Sequence, residues 1–322
     1  MYKRQGLKIG VDITIQELRE QYDAVLITIG ASTDKKLGLP GEDADGVLSA
    51  VQFLRSVGKD EIIDLTGKEV VVIGGGNVSM DAVRTAKRLG AKKVSILYRR
   101  RRNDMTALPG EIEGAIAEGI EIVTLKAPAS LDVGEDHKIH GIYATPQMIS
   151  AIRDGRASVK PTGDPDVYIP CDVLIKAIGQ DIESGHFEKA GIPVSRGKIV
   201  TLKSGAFENM PGVFAGGDCS SGPASVIKAI AAAKVVAANI DEYLGYHHEI
   251  TSGVEIPEAS LKDKTPCGRV NLTERDACER VCDFNAVENC MTEKEAKQEA
   301  GRCLRCDHFG YGIFKGGRST LW

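Results

Sequence analysis

The clearest pattern along the chain is a change of hydrophobic period between residues 67 and 100. Residues 70–73 form a short, apolar, β-branched run, which is typical of a parallel strand buried on both faces. Three glycines follow, and from Asn77 the apolar positions recur on one helical face, with Gly90 at the helix-ending position. A second apolar run, 94–97, comes next. The pattern predicts a βαβ unit whose helix N-terminus offers a seat for a phosphate group.

Hydrophobic periodicity predicts further elements on both sides of this unit, and two of them form an internal repeat. The segments YDAVLITIG and CDVLIKAIG each contain an aspartate, an apolar strand and an Ile-Gly ending, at Gly30 and Gly179. Such an echo indicates two copies of a similar nucleotide-binding domain. The remaining predictions are helices at 15–21, 51–57 and 111–118, strands at 24–29, 120–125, 138–144 and 171–178, an excursion or hairpin at 148–166, and a helix opened by a capping box at Thr292 and Glu295.

Further along, the segment GVFAGGD predicts a strand that ends in Gly217 and Asp218. Pro223 lies near the start of a long predicted helix that reaches residue 243, where the fixed φ of proline is favourable. An aspartate at a strand end can hydrogen-bond a sugar-like polyol, and the helix N-terminus can face a pyrophosphate or a flavin carbonyl. An ordinary N-cap turn explains the same residues, so both interpretations stay open.

Length and composition indicate a globular protein with room for two domains, since 42% of its 322 residues are hydrophobic. A formal net charge of -4 gives no general reason to expect nucleic acid as a partner. The start lacks the apolar stretch of a secretory signal, and lysines interrupt the most apolar helical segment, 226–240. We therefore expect no membrane span and a cytoplasmic location.

The three glycines belong to a Gly74-x-Gly76-x-x-Ser79 loop with Gly75 inside it. Glycines let the backbone approach a ligand without obstruction by a Cβ atom, and serine at the last position still permits close packing of helix on strand. Because a strand precedes the loop and a helix follows it, we predict that the loop and Asn77 bind a nucleotide. A structural turn in another α/β fold is the alternative.

The second strand of the unit leads into Tyr98, Arg99 and Arg100. An NAD site has a carboxylate there, about 20 residues past the loop, to bind the ribose hydroxyls. This sequence has arginines instead, and a guanidinium group can bind a 2′-phosphate through two parallel hydrogen bonds. The position favours NADPH over NADH, although a solvated basic loop would contain the same residues.

The chain resembles a family of flavoproteins that have two dinucleotide-binding domains. Three segments carry the resemblance: GGGNVSMDAVRTAKRLGA, the YRR after it, and GVFAGGDCSSGPASVIKAIAAAK. The family includes the small subunit of NADPH-dependent glutamate synthase, the flavin–NADPH part of dihydropyrimidine dehydrogenase and NADPH–ferredoxin oxidoreductases. The resemblance spans residues 10–243. It implies an α/β fold in which a Rossmann-like NAD(P)-binding domain is inserted in an FAD-binding domain, which accounts for the echoed Ile-Gly endings.

The resemblance also implies roles for individual residues and a division into domains. It assigns the pyrophosphate of NADPH to Gly74, Gly76 and Asn77, its 2′-phosphate to Arg99 and Arg100, the ribitol of FAD to Asp218, and the flavin ring to Val226 and Ile227. The expected segments are 1–50 and 183–247 for the FAD-binding domain, 51–182 for the NAD(P)H-binding domain, and 248–322 for a linker and a cysteine-bearing helical tail.

Members of this family begin with a glycine-rich FAD loop, and this sequence has none ahead of residue 10. We therefore expect the sequence to be a fragment of a longer protein with an incomplete FAD-binding domain. The missing βαβ unit would leave a sheet edge and an apolar face uncovered. For this reason we expect the chain alone to be poorly soluble or free of flavin.

Six of the eight cysteines lie between residues 267 and 306, which suggests metal or iron–sulfur ligation before disulfides. The segment EAGRCLRC, with Cys303 and Cys306, resembles a motif that precedes iron–sulfur clusters in relatives. A 4Fe–4S cluster needs about four thiolates. The candidate partners are Cys267, Cys290, and Cys278 with Cys282, whose spacing would put both on one helical face, or cysteines in a missing segment or another subunit. Zinc and unligated thiols are the alternatives.

No catalytic acid–base pair stands out, and hydride transfer between NADPH and a flavin needs none, because the cofactors carry that chemistry. Cys171 and Cys219 do not form the redox motif of disulfide reductases. We predict a flavin-dependent NAD(P)H oxidoreductase subunit that exchanges electrons, in either direction, with an iron–sulfur carrier or a partner subunit. The alternative is a non-catalytic nucleotide-binding or assembly module of a larger redox complex.

Overall fold

A computed structural model of the chain describes residues 3–61, 63–153, 156–249 and 267–304. Contacts divide the chain into two compact units. The terminal unit comprises Met1–Thr33, Asp181–Asn271 and Met291–Trp322, and the central unit comprises Asp34–Gln180 and Leu272–Cys290.

The boundary between Gln180 and Asp181 lies close to the expected 182, whereas the contact units divide the chain at 33/34 and 271/272 and not at 50 and 247. Residues 34–50 belong to the central unit, and their strand Val47–Ser49 pairs there with the strand Val173–Lys176. The tail expected as one segment is shared, because Leu272–Cys290 belongs to the central unit. The assignment of one cofactor to each unit remains a prediction.

The helices of the described residues alternate with strands, as expected for an α/β chain. They are α1 Ile15–Gln21, α2 Ala50–Val57, α3 Asn77–Arg88, α4 Pro109–Ala117, α5 Gly185–Lys189, α6 Asp218–Ser221, α7 Val226–Tyr243, α8 Ala277–Arg280 and α9 Glu293–Gly301. The strands are β1 Val25–Ile27, β2 Thr33–Asp34, β3 Val47–Ser49, β4 Glu69–Ile73, β5 Lys93–Tyr98, β6 Glu121–Thr124, β7 Lys126–Val133, β8 Ile139–Arg153, β9 Arg156–Pro161, β10 Val167–Pro170, β11 Val173–Lys176, β12 Gln180–Asp181, β13 Val194–Ser195, β14 Lys198–Ile199, β15 Ala206–Phe207 and β16 Met210–Ala215.

A parallel sheet in the order β3-β11-β4-β5-β6 forms the frame of the central unit. Val70 and Val72 of β4 pack into a core with α3 and α4, while Val71 and Ile73 pack on the opposite face. This two-sided burial is why β4 consists of a continuous apolar run. The helix α3 follows the glycine loop and ends before Gly90, whose φ is 90°. The predicted βαβ unit is confirmed.

An antiparallel sheet contributes the other face of this packing. Ile142 and Ala144 of β8 lie in the same core cluster as Val71 and Ile73. β8 runs well beyond the predicted 138–144, as far as Arg153, and pairs with β9. The expected excursion at 148–166 is therefore a hairpin.

The terminal unit contains a small sheet in the order β1-β16-β15, with β1 parallel to β16. The helix α1 has the predicted bounds, and a capping box at Thr14 and Glu17 fixes its start. The capping box predicted at Thr292 and Glu295 is also confirmed. The helix α7 begins at Val226, later than expected. No helix of the described ranges is long and apolar enough to cross a membrane.

The late start of α7 has a local cause. A separate turn of helix, α6, occupies Asp218–Ser221 directly after the strand, and Gly222 ends it with φ 88°. Ser225 then has an extended backbone at the N-cap of α7. Pro223 lies between the two helices, so it does not form the first turn of the long one.

A buried glutamate holds three arginines together in the central unit. The Glu118 side chain is fully buried and accepts hydrogen bonds from Arg84, Arg88 and Arg280, each with a donor–acceptor distance of 2.8 Å. Arg280 lies on α8 in the Leu272–Cys290 segment and is itself buried. The segment is thereby anchored to α3 and α4.

This cluster is balanced in charge, because Glu111 also pairs with Arg84 and Glu274 pairs with Arg280. Burial opposes ionisation of Glu118. Hydrogen bonds from the arginines outweigh that effect and lower the pKa of Glu118 below its ordinary value of 4.5. A buried ion pair of this kind is costly to break by removal of one partner.

The substitution Glu118→Gln should strongly lower the free energy of unfolding of the protein. Removal of one partner from a buried ion pair typically costs about 3–5 kcal/mol, because the other charge is left uncompensated. Urea unfolding should show a lower midpoint for E118Q and an unchanged midpoint for Glu113→Gln, a control on the exposed face of α4.

The difference in stability between the wild type and E118Q should depend on pH. Because the pKa of Glu118 is lower in the folded state, its contribution is complete above about pH 4.5 and is lost as the pH falls through the folded-state pKa. Wild-type stability should decline toward E118Q stability in acid. Equal stability of the two proteins at neutral pH would contradict the role given to Glu118.

Candidate functional site

The three glycines of the loop after β4 have different surroundings. A Cβ atom on Gly74, whose φ is 144°, would lie 2.4 Å from the backbone oxygen of Ala177. A Cβ on Gly75 would lie 2.6 Å from the ring of Tyr98. At Gly76 the nearest atom would be a hydroxyl oxygen 3.5 Å away. The first two glycines are required by the packing of the protein, and the third leaves space in front of the loop.

Behind this loop, α3 begins at Asn77 without a side-chain cap, because its N-cap residue is Gly76. The first N–H groups of the helix and the helix dipole favour an anion at this position. The side-chain oxygen of Asn77 accepts a hydrogen bond from the backbone N–H of Leu108 at 2.9 Å. Asn77 thus fastens the following loop to the helix start.

The arginine segment follows β5 at the edge of the sheet where β4 also ends, since β4 and β5 are parallel neighbours. Arg101 pairs with Asp104 through two hydrogen bonds of 2.8 and 3.0 Å, which are the largest influence lowering the pKa of Asp104. Within the described part of the chain, neither Arg99 nor Arg100 has an ion-pair partner. The Nε of Arg100 is buried and lacks a hydrogen-bond partner. Two guanidinium groups remain for an anionic ligand.

Gly179 follows β11 at this same edge and has a φ of 124°. Its backbone oxygen accepts a hydrogen bond from the N–H of Lys35 at 3.1 Å. Nearby, Lys176 is neutralised by Glu42, with an N–O distance of 2.8 Å. Burial opposes ionisation of Glu42, but hydrogen bonds from Lys176 and from backbone N–H groups lower its pKa. Lys176 is therefore engaged within the protein.

In the terminal unit, Gly30, Gly217 and Asp218 line one cleft of about 260 Å³. Its walls are small or apolar except for Thr28 and Asp218. Gly217 has a φ of 79° at the N-cap of α6, so it turns the chain sharply after β16. The cleft is completed by Leu26, Gly216, Ala229, Ala233 and Val236.

Val226 and Ile227 do not line this cleft. They form the first turn of α7 and are 75% and 66% exposed, whereas the cleft is lined by later positions of the helix. The N-cap Ser225 makes no side-chain capping bond, so the first N–H groups of this 18-residue helix are left for an acceptor. The helix start, and not an apolar contact, is its chemically distinctive feature.

The buried cysteines carry no redox motif. Cys171 precedes β11 in the central unit, and Cys219 lies on α6 in the terminal unit. Burial raises the pKa of Cys171 to about 12 and also raises the pKa of Cys219. Both are free thiols that burial keeps protonated.

The cysteines of the tail do not assemble a metal site in the residues that the structure describes. Cys278 lies on α8, but the helix ends at Arg280, so Cys282 falls beyond it and the expected shared helical face is wrong. Cys267, Cys290 and Cys303 are exposed. Cys306 lies outside the described residues.

Some residues of these sites escaped the sequence analysis. In the central unit, Thr106 donates its backbone N–H to the oxygen of Gly75 at 2.9 Å and lies in front of Gly76. In the terminal unit, Leu26 and Thr28 share the face of Gly30. The alternation of residues 26, 28 and 30 and the helical spacing of Ala229 and Ala233 are the patterns that could have identified the cleft.

The fold and these two sites define the class of dinucleotide-binding oxidoreductases. The family model described as pyridine nucleotide-disulphide oxidoreductase matches residues 7–233. The chain belongs to this family. The predicted family and the predicted α/β dinucleotide-binding fold are confirmed, and family membership supports binding of FAD and NADP.

Similar proteins include several redox subunits. The chain is 35% identical to the NADP(+)-dependent formate dehydrogenase subunit beta of Moorella thermoacetica, over 96% of this chain and 46% of the relative. It is 31% identical to the NADPH-Fe(3+) oxidoreductase subunit beta of Geobacter sulfurreducens, over 93% and 50%. It is also 31% identical to the glutamate synthase [NADPH] small chain of Escherichia coli, over 74% and 54%. The chain spans about half the length of these relatives.

Solved structures support the fold. FprA of Mycobacterium tuberculosis in complex with NADPH matches with a TM-score of 0.62 and 21% identity, over 74% of this chain and 67% of FprA. Thioredoxin reductase of T. acidophilum matches with a TM-score of 0.53 and 22% identity, over 69% and 65%.

The glycine loop makes a prediction about stability. Gly74→Ala should lower the melting temperature clearly, because the new Cβ would meet a backbone oxygen and the residue would keep a φ that alanine avoids. Gly76→Ala should leave the melting temperature close to that of the wild type, since φ is -101° and the new Cβ would be at an ordinary contact distance of 3.5 Å from its nearest neighbour. Calorimetric melting compares the two variants, and equal losses would contradict this division of roles.

Proposed function

We propose that the chain is part of a flavin-dependent NADPH oxidoreductase subunit. In this proposal the central unit binds NADPH and the terminal unit binds FAD. Electrons pass to or from an iron–sulfur carrier or partner subunit, and the residues are compatible with either direction of flow. The names of the relatives, which are beta or small subunits, support a place in a larger complex.

One observation carries the nucleotide assignment. An uncapped helix start behind an open glycine position lies at the same sheet edge as two arginines that have no ion-pair partner in the described residues. The helix start suits a pyrophosphate, and the guanidinium groups suit a 2′-phosphate. A carboxylate at the end of β5 would have favoured NADH instead, and Tyr98 is followed there by arginines.

The FAD assignment is supported by the cleft in the terminal unit. Asp218 is one of its few polar lining groups and can accept hydrogen bonds from the hydroxyls of a sugar-like chain. Gly217 and Gly30 allow close approach of a ligand to the backbone, and the uncapped start of α7 can stabilise a partly negative carbonyl oxygen. When bound, FAD would supply the acceptor for a hydride and release electrons singly.

The iron–sulfur part of the proposal depends on ligands beyond the described residues. The described cysteines do not form a complete set of four thiolates, and Cys306 lies outside that part of the chain. Cys303 and Cys306 would contribute two ligands of a cluster completed elsewhere, in this protein or in a partner.

Substitution of the free arginines should weaken binding of NADPH selectively. Arg99→Ala and Arg100→Ala should each raise the Michaelis constant for NADPH about tenfold or more, because each removes a charge-assisted hydrogen bond to the 2′-phosphate. The Michaelis constant for NADH should change little. Steady-state reduction of ferricyanide with each nucleotide measures both values.

Arg55→Ala is the control for this experiment. Arg55 is an exposed residue of α2 in the same unit but outside the arginine segment, so its removal should leave the preference for NADPH nearly unchanged. An equal loss in all three variants would indicate a general effect of positive charge, and no loss in any of them would refute the 2′-phosphate assignment.

Reduction of flavin by NADPH tests the enzymatic function as a whole. The full-length protein should bind FAD and lose visible flavin absorbance rapidly when mixed with NADPH without oxygen. Asp218→Ala should weaken FAD binding, whereas Glu208→Ala, an exposed acidic residue of the same unit, should not. Nucleotide binding without any flavin reduction would favour the alternative of a non-catalytic assembly module.

A further inference from the structure

We propose that Tyr98 is a positioning residue for recognition of the 2′-phosphate, because it joins the glycine loop to the arginine segment. The inference rests on the proposed NADPH site. It goes beyond that site by identifying what holds Arg99 and Arg100 in place, although Tyr98 itself need not touch the nucleotide.

The side chain of Tyr98 contacts Gly75 through its ring and Asp104 through its hydroxyl. Tyr98 is the last residue of β5 and only 9% exposed, and its ring lies so close to Gly75 that a Cβ there would be 2.6 Å from it. Its hydroxyl donates a hydrogen bond to the backbone oxygen of Asp104 at 2.7 Å. The side chain therefore spans from the phosphate-binding loop to the far end of the arginine segment.

The segment after β5 has two halves, and each half is held by its own set of contacts. The second half is held by backbone bonds, in which the N–H groups of Thr106 and Ala107 donate to the oxygen of Gly75 at 2.9 and 3.1 Å. The side chain of Asn77 accepts from Leu108 in the same region. These contacts do not involve the tyrosine hydroxyl and would survive its loss.

The first half, residues 99–104, contains the arginines and depends on different contacts. Asp104 holds Arg101 through two side-chain hydrogen bonds, and the Tyr98 hydroxyl holds Asp104. Arg99 and Arg100 lie inside this closed turn. Without the hydroxyl, the Asp104–Arg101 pair would lose its side-chain hydrogen bond to β5, while the backbone bond from the N–H of Leu125 to the oxygen of Arg100, at 3.1 Å, would still hold the start of the turn.

Order in this half of the segment should matter for one part of the ligand only. Immobilising long side chains on binding costs conformational entropy, and a segment held in advance avoids part of that cost. NAD⁺ lacks the 2′-phosphate, so its affinity depends on the glycine loop and the helix start. NADP⁺ also needs the arginines, so its affinity should fall when the segment loosens.

The test compares Tyr98→Phe with Tyr168→Phe by isothermal titration with NADP⁺ and NAD⁺, using competition where binding is weak. Loss of one hydrogen bond predicts that Y98F binds NADP⁺ about fivefold more weakly while its affinity for NAD⁺ is unchanged. Y168F is a matched control, because the Tyr168 hydroxyl also makes hydrogen bonds, at 3.0 and 3.1 Å, but in the antiparallel sheet. Y168F should keep the wild-type preference for NADP⁺ over NAD⁺.

The outcomes separate the two proposals. A wild-type protein that prefers NADP⁺, with the same preference in Y98F, would overturn the role of Tyr98 and leave the NADPH site standing. A wild-type protein without any preference for NADP⁺ would overturn both. A similar loss in Y168F would overturn the inference, because the effect would then not be specific to the arginine segment. Tyr98→Phe retains the ring on Gly75, and a melting temperature close to that of the wild type verifies that the fold is intact.

Discussion

The close approach of the β4–α3 turn to its neighbours is the constraint on which the central unit depends. Gly74 lies against the backbone of Ala177 after β11, and Gly75 lies against the ring of Tyr98 at the end of β5. Neither position has room for a side chain. Because these contacts bring three adjacent strand ends and one helix start to a single edge, the proposed nucleotide site follows from the packing of the protein itself. Ser79, which is fully buried at the helix–strand interface, belongs to the same packing.

The helix α3 serves two purposes at its two ends. Its uncapped start favours an anion, and its second half contributes Arg84 and Arg88 to the buried cluster around Glu118. This arrangement suits the helix dipole, which is positive at the start and negative at the end. Through Arg280, the cluster ties the Leu272–Cys290 segment to the helix that we assign to the nucleotide. Arg84, Arg88 and Arg280 are therefore neutralised within the structure, whereas Arg99 and Arg100 have no ion-pair partner among the described residues.

Sequence reasoning succeeded wherever the cause of structure was local. The apolar run of β4, the helical spacing from Asn77, the capping box at Thr292 and Glu295 and the helix-ending Gly90 are all decided by residues a few positions apart, and they were predicted correctly. The pairing of Arg280 with Glu118 spans 162 positions and leaves no periodic pattern, so the anchored tail segment could not be foreseen.

Errors and omissions in the predicted elements and sites have equally specific causes. α7 starts late because an additional helical turn, α6, separates it from β16. The shared face of Cys278 and Cys282 fails because α8 is a single turn held by the Asp276 cap. Thr106 was missed because its proximity to Gly76 arises only when the loop after β5 folds back on the glycines.

The cysteines illustrate how family membership and site chemistry can differ. The family is described by its disulphide oxidoreductases, yet burial keeps Cys171 and Cys219 protonated and they belong to different units. A dithiol mechanism needs two thiols that are close together and accessible as thiolates. The second condition is not met, because burial raises the pKa of both thiols. Electron flow through a disulfide of these two residues is therefore disfavoured, and among the described cysteines the exposed ones of the tail are accessible to a metal or a partner.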